Sequence, residues 1–82
     1  MKLTFIGTGY VGLVTGACMA ELGHTVICAD VDEKKINGLK RGKMPIYELG
    51  LDELVEKNVE NGRLSFTTNV GKAIKEAEVV FN

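Results

Sequence analysis

Two rhythms of apolar and polar positions alternate along the chain. Short runs at Leu3 to Ile6, Thr25 to Ala29 and Leu64 to Thr67, with a fourth beginning at Glu78 to Asn82, have the length and composition of strands, the first of the buried kind. Helical spacing fills the intervals. Val11 to Leu22 has only Thr15 and Glu21 as clearly polar positions, so it predicts a helix covered on both sides, one against the sheet and the other by a partner that these 82 residues need not supply. Gly12 and Gly16, four apart, would let it lie close to the sheet, and Gly23 would end it. Asp32 is placed to cap a weak helix from Glu33 to about Arg41 that turns Ile36 and Leu39 inward. Gly42 to Gly50, with the only proline, reads as a loop. Leu51, Leu54, Val55, Asn58 and Val59 mark one face of an amphipathic helix, with Asp52 and Glu53 in its first turn and Gly62 just past its end. Thr68 or Asn69 caps a last short helix carrying Val70, Ala73, Ile74 and Ala77.

Strand and helix alternate throughout, which predicts an α/β fold with a parallel sheet and right-handed crossovers. The expected order is 3-2-1-4 with helices on both faces, a partial doubly wound Rossmann fold. No repeat, low-complexity tract or linker interrupts it.

The first turn carries the chemistry. Gly7, Gly9 and Gly12 give the spacing G-x-G-x-x-G between an apolar strand and a helix, and Asp30 follows at the end of the second strand. This is the dinucleotide-binding pattern. Gly7 would allow a sharp turn, Gly9 the approach of a pyrophosphate, and Gly12 close packing of helix on strand. The phosphates would sit at the helix N-terminus, where unpaired N–H groups and the helix dipole favour an anion. Main-chain groups of Gly9, Tyr10, Val11 and Gly12 would hold them. Asp30 would accept hydrogen bonds from the adenosine ribose hydroxyls, and Lys35, one turn into the next helix, could reach the same ribose.

Composition narrows the partners. Ten Lys and Arg against eleven Asp and Glu give a net charge of −1, so no basic surface recruits nucleic acid. No apolar run approaches the ~20 residues of a membrane span, and a cytoplasmic protein with a small-molecule partner is expected. Cys18 and Cys28 lack metal-ligand spacing and read as small buried hydrophobes, with no metal site implied. His24 reads as a solvated loop residue. Val79, Val80 and Phe81 would leave an apolar sheet edge, which favours self-association, and a homo-oligomer is expected.

Five blocks carry a resemblance to one family. They are Ile6-Gly7-Thr8-Gly9-Tyr10-Val11-Gly12-Leu13; Asp30-Val31-Asp32 with Lys35-Ile36; Gly42-Lys43-Met44-Pro45-Ile46-Tyr47-Glu48 with Gly50-Leu51; Gly62-Arg63-Leu64 with Phe66-Thr67-Thr68; and Ala77-Glu78-Val79-Val80-Phe81. Together they resemble the N-terminal part of the nucleotide-sugar 6-dehydrogenases, the family of UDP-glucose and GDP-mannose 6-dehydrogenases. Leu49 departs from the proline usual there, and a site role for Glu48 is left open. The resemblance implies an NAD-dependent oxidoreductase that converts the sugar C6 alcohol to a carboxylate with two NAD and a downstream cysteine; neither Cys18 nor Cys28 matches that cysteine's motif. It also implies that residues 1–82 are the N-terminal portion of the NAD-binding domain, without the dimerisation and sugar-nucleotide domains, and therefore not catalytic alone. Two other classes share the glycine turn and Asp30: a regulatory module that senses NAD or another adenine nucleotide, and another Rossmann dehydrogenase. Neither accounts for the Met44 to Leu51 block.

Overall fold

A computed structural model of the chain describes residues 1–7, 9–42 and 50–82, and Tyr10 by its backbone. The elements run β1 (Lys2–Ile6), α1 (Tyr10–Glu21), β2 (Thr25–Ala29), α2 (Glu33–Lys40), α3 (Leu51–Glu60), β3 (Leu64–Thr67), α4 (Val70–Glu76) and β4 (Val79–Phe81). The strands form one parallel sheet in the order β3-β2-β1-β4, as the alternation of apolar runs and helices predicts. The segment 43–49, with Glu48 and Leu49, lies outside the described residues.

Alternation along each strand divides the side chains between two faces. On one face Leu3, Phe5, Val26, Cys28, Leu64 and Phe66 join Leu13, Ala17, Ala20, Ile36, Leu39, Leu51 and Val55 in a single buried cluster. Each large side chain fully buried there contributes about 1.5–3 kcal/mol. This face is covered by α1, α2 and α3, and α1 and α3 also lie against each other. On the opposite face Thr4, fully buried, donates its hydroxyl to the Ala73 carbonyl at 2.8 Å, which fastens α4 to the central strand. A buried hydroxyl without such an acceptor would cost about 1–3 kcal/mol.

The expectation that α1 is covered all round is only half met. Leu13, Ala17 and Ala20 are buried, whereas Val11 and Leu22 are 74% and 75% exposed. The two cysteines also divide: Cys28 is buried and Cys18 is exposed, because Cys18 falls on the α1 flank that neither the sheet nor α3 covers. His24 differs from the solvated residue expected. It is half-buried, and its Nδ1 is enclosed without a hydrogen-bond partner among the described residues.

Among the described residues no helix is long and apolar enough to cross a membrane. No cluster of three His, Cys, Asp or Glu side chains suits a metal ion among them either.

Candidate functional site

The glycine turn is built onto the sheet. Gly7 has φ +92°, a conformation that a Cβ disfavours strongly, and its N–H donates to the Ala29 carbonyl at 2.7 Å. That bond extends the β1–β2 ladder by one residue and sets the turn beside the end of β2, where Asp30 follows. Gly9 is the N-cap of α1, with φ −68° and ψ 167° and no side-chain cap. Its carbonyl accepts the Leu13 N–H at 3.0 Å, closing the first helical turn. No acidic side chain stands in that turn, so the N–H groups of Tyr10, Val11 and Gly12 begin a helix that supplies no carboxylate of its own.

The three motif glycines differ in what they leave room for. A Cβ at Gly12 would lie 3.4 Å from the Gly7 carbonyl oxygen, so that glycine fits helix to turn. Close approach of helix to strand belongs instead to Gly16, where a Cβ would stand 3.2 Å from Cys28 Sγ and 3.4 Å from Val26 Cγ1. Gly9 is different again. Its backbone angles are open to any residue, and a Cβ there would meet nothing within 4 Å among the described residues. Its missing side chain keeps space free outside the protein, in front of the helix N-terminus. An open cleft of about 530 Å³ occupies that space, lined by Gly7, Gly9, Val11, Gly12 and Thr15 with Phe5 and Phe81. The two phenylalanine rings stack with centroids 4.7 Å apart and planes 11° from parallel. The sequence assigned Phe81 only to an apolar edge; its place in the cleft comes from the β1–β4 register, which sets it opposite Phe5.

Asp30 is half-buried at the end of β2. Its N–H donates to the Thr67 carbonyl at 3.1 Å and its Oδ1 accepts the Asp32 N–H at 2.9 Å. Asp32 Oδ1 in turn accepts the N–H groups of Lys34 and Lys35 at 3.0 and 3.2 Å, capping α2. The two aspartates form consecutive turns: the first orients the second, and the second closes the helix. Lys35 stands exposed in the first turn of α2, on the element that Asp30 introduces. Gly7, Gly9, Val11 and Gly12 thus gather at one cleft, with Asp30 joined to its wall through the Ala29–Gly7 bond. The side chain of Tyr10 lies outside the described residues.

Cys28 is a packing atom. Burial beneath α1 pushes its thiol up to about 12, far from the reactive range of a nucleophilic cysteine. At the far end of α1, Glu21 accepts hydrogen bonds from Lys57 Nζ at 2.9 Å and Asn58 Nδ2 at 3.2 Å. The Lys57 bond, followed by that of Asn58, holds the Glu21 carboxyl below its ordinary value.

A parallel 3-2-1-4 sheet, a glycine turn opening onto a bare helix N-terminus and an aspartate closing the second strand define a dinucleotide-binding unit of the doubly wound class. The comparisons carry this to a family. The family model described as "UDP-glucose/GDP-mannose dehydrogenase family, NAD binding domain" matches residues 1–82, and the chain belongs to that family. It is 56% identical over 81 residues to a UDP-glucose 6-dehydrogenase of Rhizobium meliloti, covering 99% of this chain and 18% of that protein. It is 54% identical over 80 residues to UDP-glucose 6-dehydrogenase TuaD of Bacillus subtilis, covering 98% of this chain and 17% of that one. Among solved structures, a ternary complex of GDP-mannose dehydrogenase from Pseudomonas aeruginosa matches with a TM-score of 0.91 at 41% identity, over 98% of this chain and 18% of that one. The chain therefore spans about 18% of the length of the first of these curated relatives. The cofactor of the matched domain is NAD.

Proposed function

We propose that the cleft at the α1 N-terminus receives the pyrophosphate of NAD, and that the protein is an oxidoreductase acting on a nucleotide sugar. Gly9 carries this reading. Its unstrained backbone angles and its surroundings among the described residues permit a side chain, so a ligand lying against the helix N-terminus is the physical reason for a glycine there. The N–H groups of Gly9, Tyr10, Val11 and Gly12 donate to the phosphates, and the helix dipole adds about 0.3–1 kcal/mol. Asp30 accepts from the ribose hydroxyls and Lys35 approaches the same sugar. When bound, NAD supplies the hydride acceptor.

The relatives' names support UDP-glucose as the substrate and oxidation at C6 as the reaction. Residues 1–82 are the N-terminal portion of the NAD-binding domain. They catalyse nothing alone, since substrate recognition and the reacting cysteine belong to other parts of the whole protein, a cytoplasmic homo-oligomer.

Asp30 makes the test sharp. The 2′-phosphate of NADP would bring negative charge to within about 4 Å of its carboxylate, a unit pair costing ~4 kcal/mol at an effective dielectric of 20. Solvent screening reduces this, and a preference for NAD of about tenfold or more, ~1.4 kcal/mol, is expected. Titrating both cofactors against the wild type and Asp30→Ala checks it. The preference should collapse in the variant; equal affinities in the wild type, or an unchanged ratio in the variant, would remove Asp30 from the ribose site.

A further inference from the structure

Asn58 is a polar residue in the middle of an apolar stripe. It follows Leu51, Leu54 and Val55 on one face of α3 and is fully buried. Its Nδ2 donates twice, to Glu21 Oε1 of α1 at 3.2 Å and to the Leu54 carbonyl at 2.9 Å, while its Oδ1 is buried without a partner among the described residues. Leaving an amide oxygen unsatisfied costs about 1–3 kcal/mol, so a leucine would serve the packing better. A buried polar group kept against that cost is best attested as a device that fixes how two helices register.

The topology says what such a register controls. Both α1 and α3 run directly into a strand at their C-termini, so Glu21 and Asn58 meet at the edge where the strands begin. The N-termini of both helices therefore lie toward the opposite edge, where the strands end and the glycine turn sits. Sliding α3 by one turn along α1, about 5.4 Å, would bring apolar Leu54 against the Glu21 carboxylate and carry the Asn58 amide away from it. We propose that Asn58 and Glu21 form a register lock, a pair of positioning residues that fixes α3 along α1 and thereby the height at which Gly50 enters α3 at the cofactor edge.

Its effect on cofactor affinity rests on the NAD reading above; the lock itself does not. The Lys57–Glu21 pair at 2.9 Å lies on the exposed rim of the same contact, its side chains 60% and 37% exposed, and pairs of that kind contribute little. Direction and register come from the buried amide.

The test compares Asn58→Leu, Glu21→Leu and Glu21→Gln in the protein labelled for NMR. Asn58→Leu removes both donors and the orphaned oxygen, and its melting temperature should stay close to the wild type or rise. Its α3 amides should nevertheless broaden or split into more than one set, as should those of Glu21→Leu, while Glu21→Gln, which keeps an acceptor for Nδ2, should give the wild-type single set. Affinity for NAD should fall roughly three- to tenfold in the two leucine variants and hold in the glutamine variant. A single sharp set of α3 resonances in the leucine variants would overturn the lock. Multiple sets with unchanged NAD affinity would overturn its reach to the cofactor edge. The resonances are counted without NAD, so a wild type that fails to bind NAD would overturn the cofactor reading and leave the lock standing on its own data.

Discussion

Helices α1 and α2 each follow a strand of the same parallel sheet, yet their N-termini are finished in opposite ways. Asp32 closes α2 by accepting two backbone N–H groups, and Glu33 adds an acid to the first turn. At the start of α1 stands Gly9, with no side-chain cap and no acid in the turn. An N-cap of the Asp32 kind is worth about 1 kcal/mol, and at α1 that stabilisation is forgone. On the proposed reading the difference marks where an anion is accepted: the helix that carries its own carboxylate is complete, and the helix without one is left for the ligand to complete.

Giving α1 the finish of α2 breaks the contrast most severely. Gly9→Asp places a carboxylate at backbone angles already suited to an N-cap, so thermal stability should hold or rise by a few tenths of a kcal/mol. NAD affinity should fall about 100-fold or more, ~2.7 kcal/mol, because that carboxylate occupies the phosphate's place. Calorimetric titration alongside a melting curve reads both, and a variant that binds NAD as the wild type does would end the assignment of the pyrophosphate to this helix.

The bodies of the two helices rest on different material, and alkaline pH separates them. Through Gly16, α1 lies over the buried Cys28 thiol, whereas α2 turns Ile36 and Leu39 inward. The folded thiol titrates near 12 against an ordinary value of 9.0, so the fold holds the neutral form. That contribution is complete below about pH 9 and drains away as pH rises toward 12, at no more than ~1.4 kcal/mol per pH unit. Denaturant melts between pH 8.5 and 10.5 should show the decline, and Cys28→Ala should flatten it.

Opening α2 should have the smallest effect. Asp32→Ala removes the acceptor for Lys34 and Lys35 N–H and should cost about 1 kcal/mol in a denaturant melt. NAD affinity should change by less than about threefold, below 0.7 kcal/mol, since the cap is not the ribose ligand. A larger loss of affinity would mean that Asp32, and not only Asp30, meets the cofactor.

The order of elements was legible because strand and helix periods differ, and runs such as Leu3 to Ile6 and the spacing of Leu51, Leu54 and Val55 leave little ambiguity. The glycine turn and Asp30 were legible because each residue type answers a local backbone or charge requirement. The division of labour among the glycines was not. Spacing alone cannot tell that Gly12 faces a carbonyl, Gly16 a thiol and Gly9 open space, since each depends on what another element brings opposite. Cys18 shows the same limit: a helix apolar nearly all round has no stripe to fix its rotation, so which of its small residues is buried is decided by where the sheet and α3 lie. Asn58 was placed on the correct face of α3 by periodicity, but its partner lies 37 positions away on α1.

The Gly7–Ala29 hydrogen bond has a consequence for the thermodynamics of binding. Because the turn begins as a continuation of the sheet ladder, its first residue is already as ordered as the strands, and freezing one residue's backbone costs about 1–2 kcal/mol. On the proposed reading, a cofactor arriving at the cleft meets a Gly7 that is already ordered, and less of its interaction energy is lost to fixing that residue. The Gly7 amide should accordingly exchange with solvent deuterium on the timescale of sheet opening, slowly for a residue in a turn.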